Sequence, residues 1–371
     1  MRPALFTLPL LLAGVVVLCP RPAAGCAVLP PKDGSTTISS ESALIVYDSA
    51  TKTEHFIRTA NFQSTSNEFG FMVPTPTKPE LAESSAEVFA ALADITKRRT
   101  VVQWRAKEFD FGCGLLPMSR ADFSHVGSAI TPDAARGVRV VEQKKVGDFD
   151  AVILKASEPQ KLREWLTANG YDARPTLDPW FAEYTKNDWY LTAFKIATDS
   201  PAAGGNKLAL TSSAVRISFP TERPFYPYRE PADMQAVKGA RQLRLFVLAD
   251  ERVSGDIGRG DGAKAWAART EWSNKVPADR LADATAKGKL PAGVGGREWH
   301  LTEFNDTASP RPGTDELYLS KAADQSAVER PPLIEWKEYD PWPWLFGSVA
   351  VLAAVLLGFM AWKVVRPKAK A

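Results

Sequence analysis

Histidine and cysteine are scarce: three of each in 371 residues. His55, His125 and His300 show no ligand spacing. There is no H-E-x-x-H, no C-x-x-C and no acidic loop with calcium spacing, so a metal site would have to be assembled by the fold alone. No G-x-S-x-G elbow anchors a serine hydrolase. G-R-G-D-G at 258–262 lacks the G-K-[ST] and the strand–loop–helix context of a phosphate loop, and its ordinary reading is a surface loop. No cofactor is called for. A basic field is missing too. The formal charge is +3, but Arg2 and Arg21 lie in the first 25 residues and Lys363, Arg366, Lys368 and Lys370 in the last nine, which leaves −3 between. That excludes nucleic acid as an expected partner.

What the chain does have is one long apolar run. Trp344 to Trp362 passes without a charge. At about 1.5 Å rise per residue it makes a helix of roughly 28 Å, close to the ~30 Å hydrocarbon core of a bilayer. The apolar residues cover every side of the helical wheel, as lipid requires. Trp342 and Trp344 mark one interface, Trp362 the other, and Lys363 and Arg366 begin a tail without acids. The positive-inside rule puts that tail, 363–371, in the cytoplasm. The lipid bilayer is the first expected partner.

The start of the chain reads as a secretory signal over 1–25: Arg2, a short apolar run broken by Pro9, then Pro20, Pro22 and the small residues Ala23, Ala24 and Gly25. Cleavage after Gly25 makes Cys26 the first mature residue, where lipidation is an alternative fate. Cys26 and Cys113 are then an even pair in an oxidising compartment, and a disulfide between them is expected. The competing readings are two free thiols, or Cys113 as a nucleophile with His125 as its base.

Between the two ends, 26–304 reads as an exported domain, divisible near 135. Leu44–Tyr47 and His55–Arg58 predict a hairpin. In EFGFMVPTPTKPEL the prolines predict an edge strand whose pairing stops near Val73. Ser84 or Ser85 caps a short helix with Val88, Leu92 and Ile95 on one face. Val101–Trp104 reads as a strand, as do Val138–Gln143 and Ala151–Leu154 around Gly147. SEPQKLREWLTANGY predicts a helix stopped by Gly170 in the left-handed region. A second helix is expected over Asp178–Lys186, strands at Trp189–Ile196, VRISFP, RQLRLFVLAD and Glu298–Phe304, a loop at 255–262 and a helix at Lys264–Thr270. Phe225, Tyr226 and Tyr228 alternate with Pro224 and Pro227: either a stiff loop that contacts a glycan or a partner protein of the envelope, or a lid folded back on the core. From 305 to 341 the chain is proline-rich and reads as a stalk, with Glu316–Leu319 a possible edge strand. Segment 342–362 is the membrane helix. Strands in close pairs favour an α+β fold, mostly antiparallel sheet with a few covering helices, plus the one C-terminal transmembrane helix.

Four features in order carry a resemblance: Cys26, the extended Phe69–Pro76, Trp165-Leu166 with Asn169-Gly170-Tyr171, and Phe219-Pro220 with Phe225-Tyr226-Pro227. Together they resemble the bacterial secreted family known as domain of unknown function 2330, over most of residues 1–310. The resemblance implies an exported bacterial protein, often with a C-terminal anchor, and supplies no activity and no catalytic residues. Only Cys113 stands where that family often carries several cysteines, which bears on the disulfide. The expected function is a single-pass envelope protein, extracytoplasmic at its N-terminal side, acting as a binding or structural module. The alternatives are an envelope hydrolase whose Asp, Glu and His no motif flags, and a domain released by C-terminal processing.

Overall fold

The structure, a computed structural model, describes residues 27–29, 36–64, 70–106, 138–171, 173–197, 210–211, 213–235, 242–339 and 342–365. The chain forms two compact units, one of residues 1–96 and 123–329, the other of 97–122 and 330–371.

The larger unit is a four-layer stack of helices, sheet, sheet and helices. The expected hairpin is long: Thr36–Asp48 pairs with Thr53–Ser64, Leu44 opposite Ile57. It lies in the middle of the larger sheet, ordered Arg269–Val276, Trp299–Asp306, Gln242–Ala249, Thr36–Asp48, Thr53–Ser64, Val215–Pro220, Glu80–Glu83. All pairs are antiparallel except Thr36–Asp48 with Gln242–Ala249. A second sheet runs Ala27–Leu29, Gly70–Thr75, Tyr190–Ile196, Phe149–Lys155, Arg139–Val146, antiparallel throughout. A short third sheet holds Phe225–Tyr226, Leu317–Lys321, Val253–Ile257 and Lys264–Ala265.

Side chains alternate across each strand with period two, and here both faces are covered, so the inner strands read as unbroken apolar runs. Ala43, Ile45, Phe56, Leu245 and Val247 point between the sheets, where they meet Phe71, Val73, Phe149, Ile153 and Phe194. Leu44, Val46, Ile57, Phe246 and Leu248 point outward beneath helices Glu87–Ile95 and Ala278–Lys287. On the other side, Met72, Leu154, Leu191 and Ala193 lie under helices Pro159–Ala168 and Asp178–Lys186 through Leu162, Trp165, Trp180 and Phe181. The α+β expectation therefore holds, as a mixed, sheet-dominated fold.

Local expectations differ from the structure where pairing overrides propensity. The helix expected at Lys264–Thr270 is absent. Ala265 pairs with Asp256, and Arg269 begins a strand. The helix in that region is Ala278–Lys287, whose buried face is only Leu281 and Ala284. Gly255–Ile257 is strand, not loop, and a Cβ on Gly255 would stand 2.7 Å from Leu317 Cδ1. Pairing does not stop at Val73. Pro74 lies opposite Leu191 and Thr75 opposite Tyr190, so the strand continues through the proline. The stalk expected from residue 305 is corrected over its first part. Arg311, Glu316, Leu317 and Leu319 are buried, and Leu317–Lys321 is an inner strand, bordered by Phe225–Tyr226 and Val253–Ile257.

The smaller unit is a two-stranded parallel ribbon, Thr100–Ala106 with Leu333–Tyr339, and the helix Trp342–Val365.

Candidate functional site

The C-terminal helix is 24 residues long. Val349, Val351, Leu352, Val355, Leu356, Leu357, Phe359 and Met360 are each more than half exposed. Ser348 donates its hydroxyl proton to Trp344 O at 2.6 Å, so its one polar group is satisfied within the helix. Trp344 and Trp362 are exposed, and Lys363 stands in the last turn with its ammonium 5.0 Å from the Phe359 ring centre. Trp342 opens the helix, and Arg366 lies outside the described residues. Among the residues described with their side chains, no helix is long and apolar enough to cross a membrane. The helical backbone runs beyond them at both ends, from Trp342 to Val365.

In the larger unit the candidate site is an open groove of about 520 Å³ lined by Thr53, His55, Lys78, Glu80, Arg216 and Ser218. Three adjacent strands build it. Cross-strand register sets His55 opposite Ser218 and Ser218 opposite Glu80, so one face carries the three in a row. His55 Nδ1 lies 2.8 Å from Ser218 Oγ. Burial, then the neighbouring Arg216 guanidinium, pushes the imidazole below its usual range. It is therefore the neutral base at pH 7. Lys78 pairs with Glu142 at 2.8 Å at the rim. A Ser–His contact is half of a nucleophile's activation. Ser218 sits inside a regular strand paired on both sides, not on a turn that frees backbone N–H groups for an oxyanion. The groove can hold a ligand by hydrogen bonds and charge.

A second Ser–His contact is closed. Ser273 Oγ stands 2.9 Å from His300 Nε2 and 3.0 Å from Thr302 Oγ1, all buried, with Val328 bridged to Ser273 across the edge. Burial lowers the His300 pKa as well. This group joins neighbouring strands, with only His300 keeping a small exposed surface, 6%. No sequence motif marks either pair; the only signal is strand register, which needs the fold.

The aromatic loop is corrected. Phe225, Tyr226 and Tyr228 are 0–1% exposed, so none offers a ring to a ligand. Phe56 and Tyr226 meet edge-on at 5.8 Å, and Tyr228 donates to Asp306 at 2.7 Å. The loop closes the core because polar anchors lie beneath it. Glu54 accepts the Phe225 N–H at 2.9 Å, and Glu316 accepts from Tyr228 N–H at 2.8 Å and Tyr184 O–H at 2.5 Å. Burial raises both carboxyl pKa values. Arg259 of the G-R-G-D-G stretch stacks its guanidinium 4.1 Å from the Tyr318 ring centre. Among the described residues no group of three or more His, Cys, Asp or Glu is placed to hold a metal. Cys26, Cys113 and His125 lie outside the described residues.

A family model described as an uncharacterised protein conserved in bacteria, DUF2330, matches residues 20–319. No curated protein and no solved structure matches the chain.

Proposed function

The chain belongs to the DUF2330 family of uncharacterised bacterial proteins, and from that premise we propose that it is an exported envelope protein, held in the membrane by its C-terminal helix and displaying the larger unit as a binding module. The observation that carries this reading is the uncovered helix. Eight large apolar side chains stand more than half exposed on it. Leaving such a side chain in water forgoes about 1.5–3 kcal/mol, so eight forgo on the order of 12–24 kcal/mol, as much as or more than the ~5–15 kcal/mol that holds a domain folded. Lipid supplies the cover. The tryptophans at both ends and the basic tail suit its two interfaces. In this reading the leader 1–25 is removed, Cys26 and Cys113 form the disulfide, and the groove at His55, Ser218 and Arg216 receives an envelope protein or glycan. Binding is favoured over hydrolysis because Ser218 lacks a backbone oxyanion site.

The test is fractionation of cells, an alkaline wash of the membranes, and the intact mass of the recovered protein. Retention in the washed membrane, with a mass that begins at Cys26 and includes 342–371, is expected. A soluble full-length chain, or a mass that ends before Trp342, would refute the anchor.

A further inference from the structure

The groove of the larger unit lies on the helix-covered face of its sheet. Val215, Ile217, Phe219 and Leu81 point to the core between the sheets, so Arg216, Ser218 and Glu80 point the other way. Two of these carry opposite charges. Arg216 is opposite Ala82 and Glu80 is opposite Ser218, which makes Arg216 and Glu80 diagonal neighbours. Diagonal neighbours stand about 7–8 Å apart. They do not neutralise each other. Arg216 is half-buried and donates Nη1–H to the carbonyl oxygen of Lys289, in the loop after helix Ala278–Lys287. Among the described residues its guanidinium has no carboxylate partner, and its Nε is buried without an acceptor. Glu80 is exposed, and among the described residues its carboxylate has no cation partner. The other cation of the rim, Lys78, is already taken by Glu142 at 2.8 Å. After burial itself, Arg216 lowers the His55 pKa and Glu80 raises it, so both charges bear on the same floor. There His55 and Ser218 present one donor. If Ser218 donates to Nδ1, the ring proton sits on Nε2; if Nδ1–H donates, the hydroxyl proton is free. The groove offers a sugar no ring to stack on, because Phe219, its one phenyl group, is 1% exposed.

We propose that the groove selects a small zwitterion, its carboxylate on Arg216 and its ammonium on Glu80, as carried by a free α-amino acid or a short peptide with unblocked ends. The proposal rests on the groove being the ligand site and names the ligand chemistry it takes. Arg216 spends one N–H on Lys289 and keeps others for a carboxylate. Charge-assisted hydrogen bonds of this kind are the strong ones. A ligand of one charge satisfies one of the two residues and sets its own charge against the other. A neutral glycan satisfies neither. A half-buried charge without a partner is costly, and a zwitterion answers both charges without adding a net one. The groove volume of about 520 Å³ suits a ligand of this size.

Full-length protein in a non-ionic detergent is titrated with the free amino acids and with the dipeptide alanylalanine. Each is run beside its N-acetyl form, which lacks the ammonium, and its amide, which lacks the carboxylate. The His55 ring signal, assigned by its loss in His55→Gln, reports binding by NMR. At least one zwitterion should shift that signal, and its two blocked forms should bind at least about tenfold more weakly. In Glu80→Gln, at an exposed position, the free and N-acetyl forms should become equal; in Arg216→Gln the free and amide forms should. If Arg216→Gln does not fold, Glu80→Gln decides alone. Tighter binding of an amino acid than of alanylalanine identifies the source as free amino acids, and the reverse order identifies short peptides. Blocked forms that bind as well as the free ones, or a preference that survives Glu80→Gln, overturn the zwitterion and leave the groove as a ligand site. A His55 signal that no compound moves overturns the proposal and the groove reading together, and leaves the membrane anchor standing.

Discussion

Glu54 gives the sharpest test of the fold. It stands in the central hairpin opposite Phe219, with no exposed surface, and holds the Phe225 N–H at 2.9 Å. Its other carboxyl oxygen has no hydrogen-bond partner among the described residues. Burial therefore raises its pKa well above the ordinary value, and the folded protein holds the acid in its neutral form. In the unfolded chain the same group ionises near pH ~4.3. Folding thus takes up one proton between those two values. For an acid shifted upward, the stabilisation is complete below the unfolded pKa and is lost as pH rises toward the folded one. One proton corresponds to a slope of about −1.4 kcal/mol per pH unit across that window. Glu54→Gln keeps an acceptor for Phe225 and cannot ionise. Urea unfolding in a non-ionic detergent, followed by tryptophan fluorescence from pH 5 upward, should show a slope shallower by up to about 1.4 kcal/mol per pH unit in the variant, which becomes the more stable of the two as pH rises. Equal slopes would refute the neutral buried acid. A variant less stable at every pH would show that the amide cannot replace the carboxyl, and would refute the argument in another way.

Two further expectations concern packing. Gly70→Ala places a Cβ 2.5 Å from the Phe194 carbonyl oxygen and 2.8 Å from the Tyr171 ring, so the second sheet must open. Urea melts should register a loss of about 1–3 kcal/mol or more, while Gly262→Ala, with nothing within 4 Å, should stay within about 0.5 kcal/mol. Arg58 and Glu41 form a buried pair at 3.0 Å, with the guanidinium 4.5 Å from the Phe71 ring centre. Arg58→Met should cost about 3–5 kcal/mol by leaving the carboxylate buried, and Glu41→Leu added to it should recover much of that in the same melts.

Much of the backbone was legible because its causes are local. Gly170 ends its helix at φ +81° after Leu166, as a left-handed stop should, and Ser85 Oγ accepts the Glu87 N–H at 3.2 Å near the start of the Glu87–Ile95 helix. The hairpin around residue 50 follows from apolar runs either side of turn residues. The misreadings share one cause. Lys264–Thr270 has the composition of a helix, yet a sheet edge offered its backbone hydrogen bonds and its aromatic neighbour a place in the core. Residues 305–322 have the composition of a linker, yet Arg311 and Glu316 find buried partners in Asp306 and Tyr184. Phe225, Tyr226 and Tyr228 offered two readings, and only the acids beneath them decided for the core.

Chain order alone established the family, the sheet-dominated α+β class and the uncharged run near the C-terminus, because these depend on residue type and spacing within one segment. The row His55–Ser218–Glu80 and the ribbon joining residue 100 to residue 333 came only with the tertiary structure. Each is made by strands far apart in sequence whose register is set by which faces must be buried, and that is a property of the packed sheets together, not of any one strand.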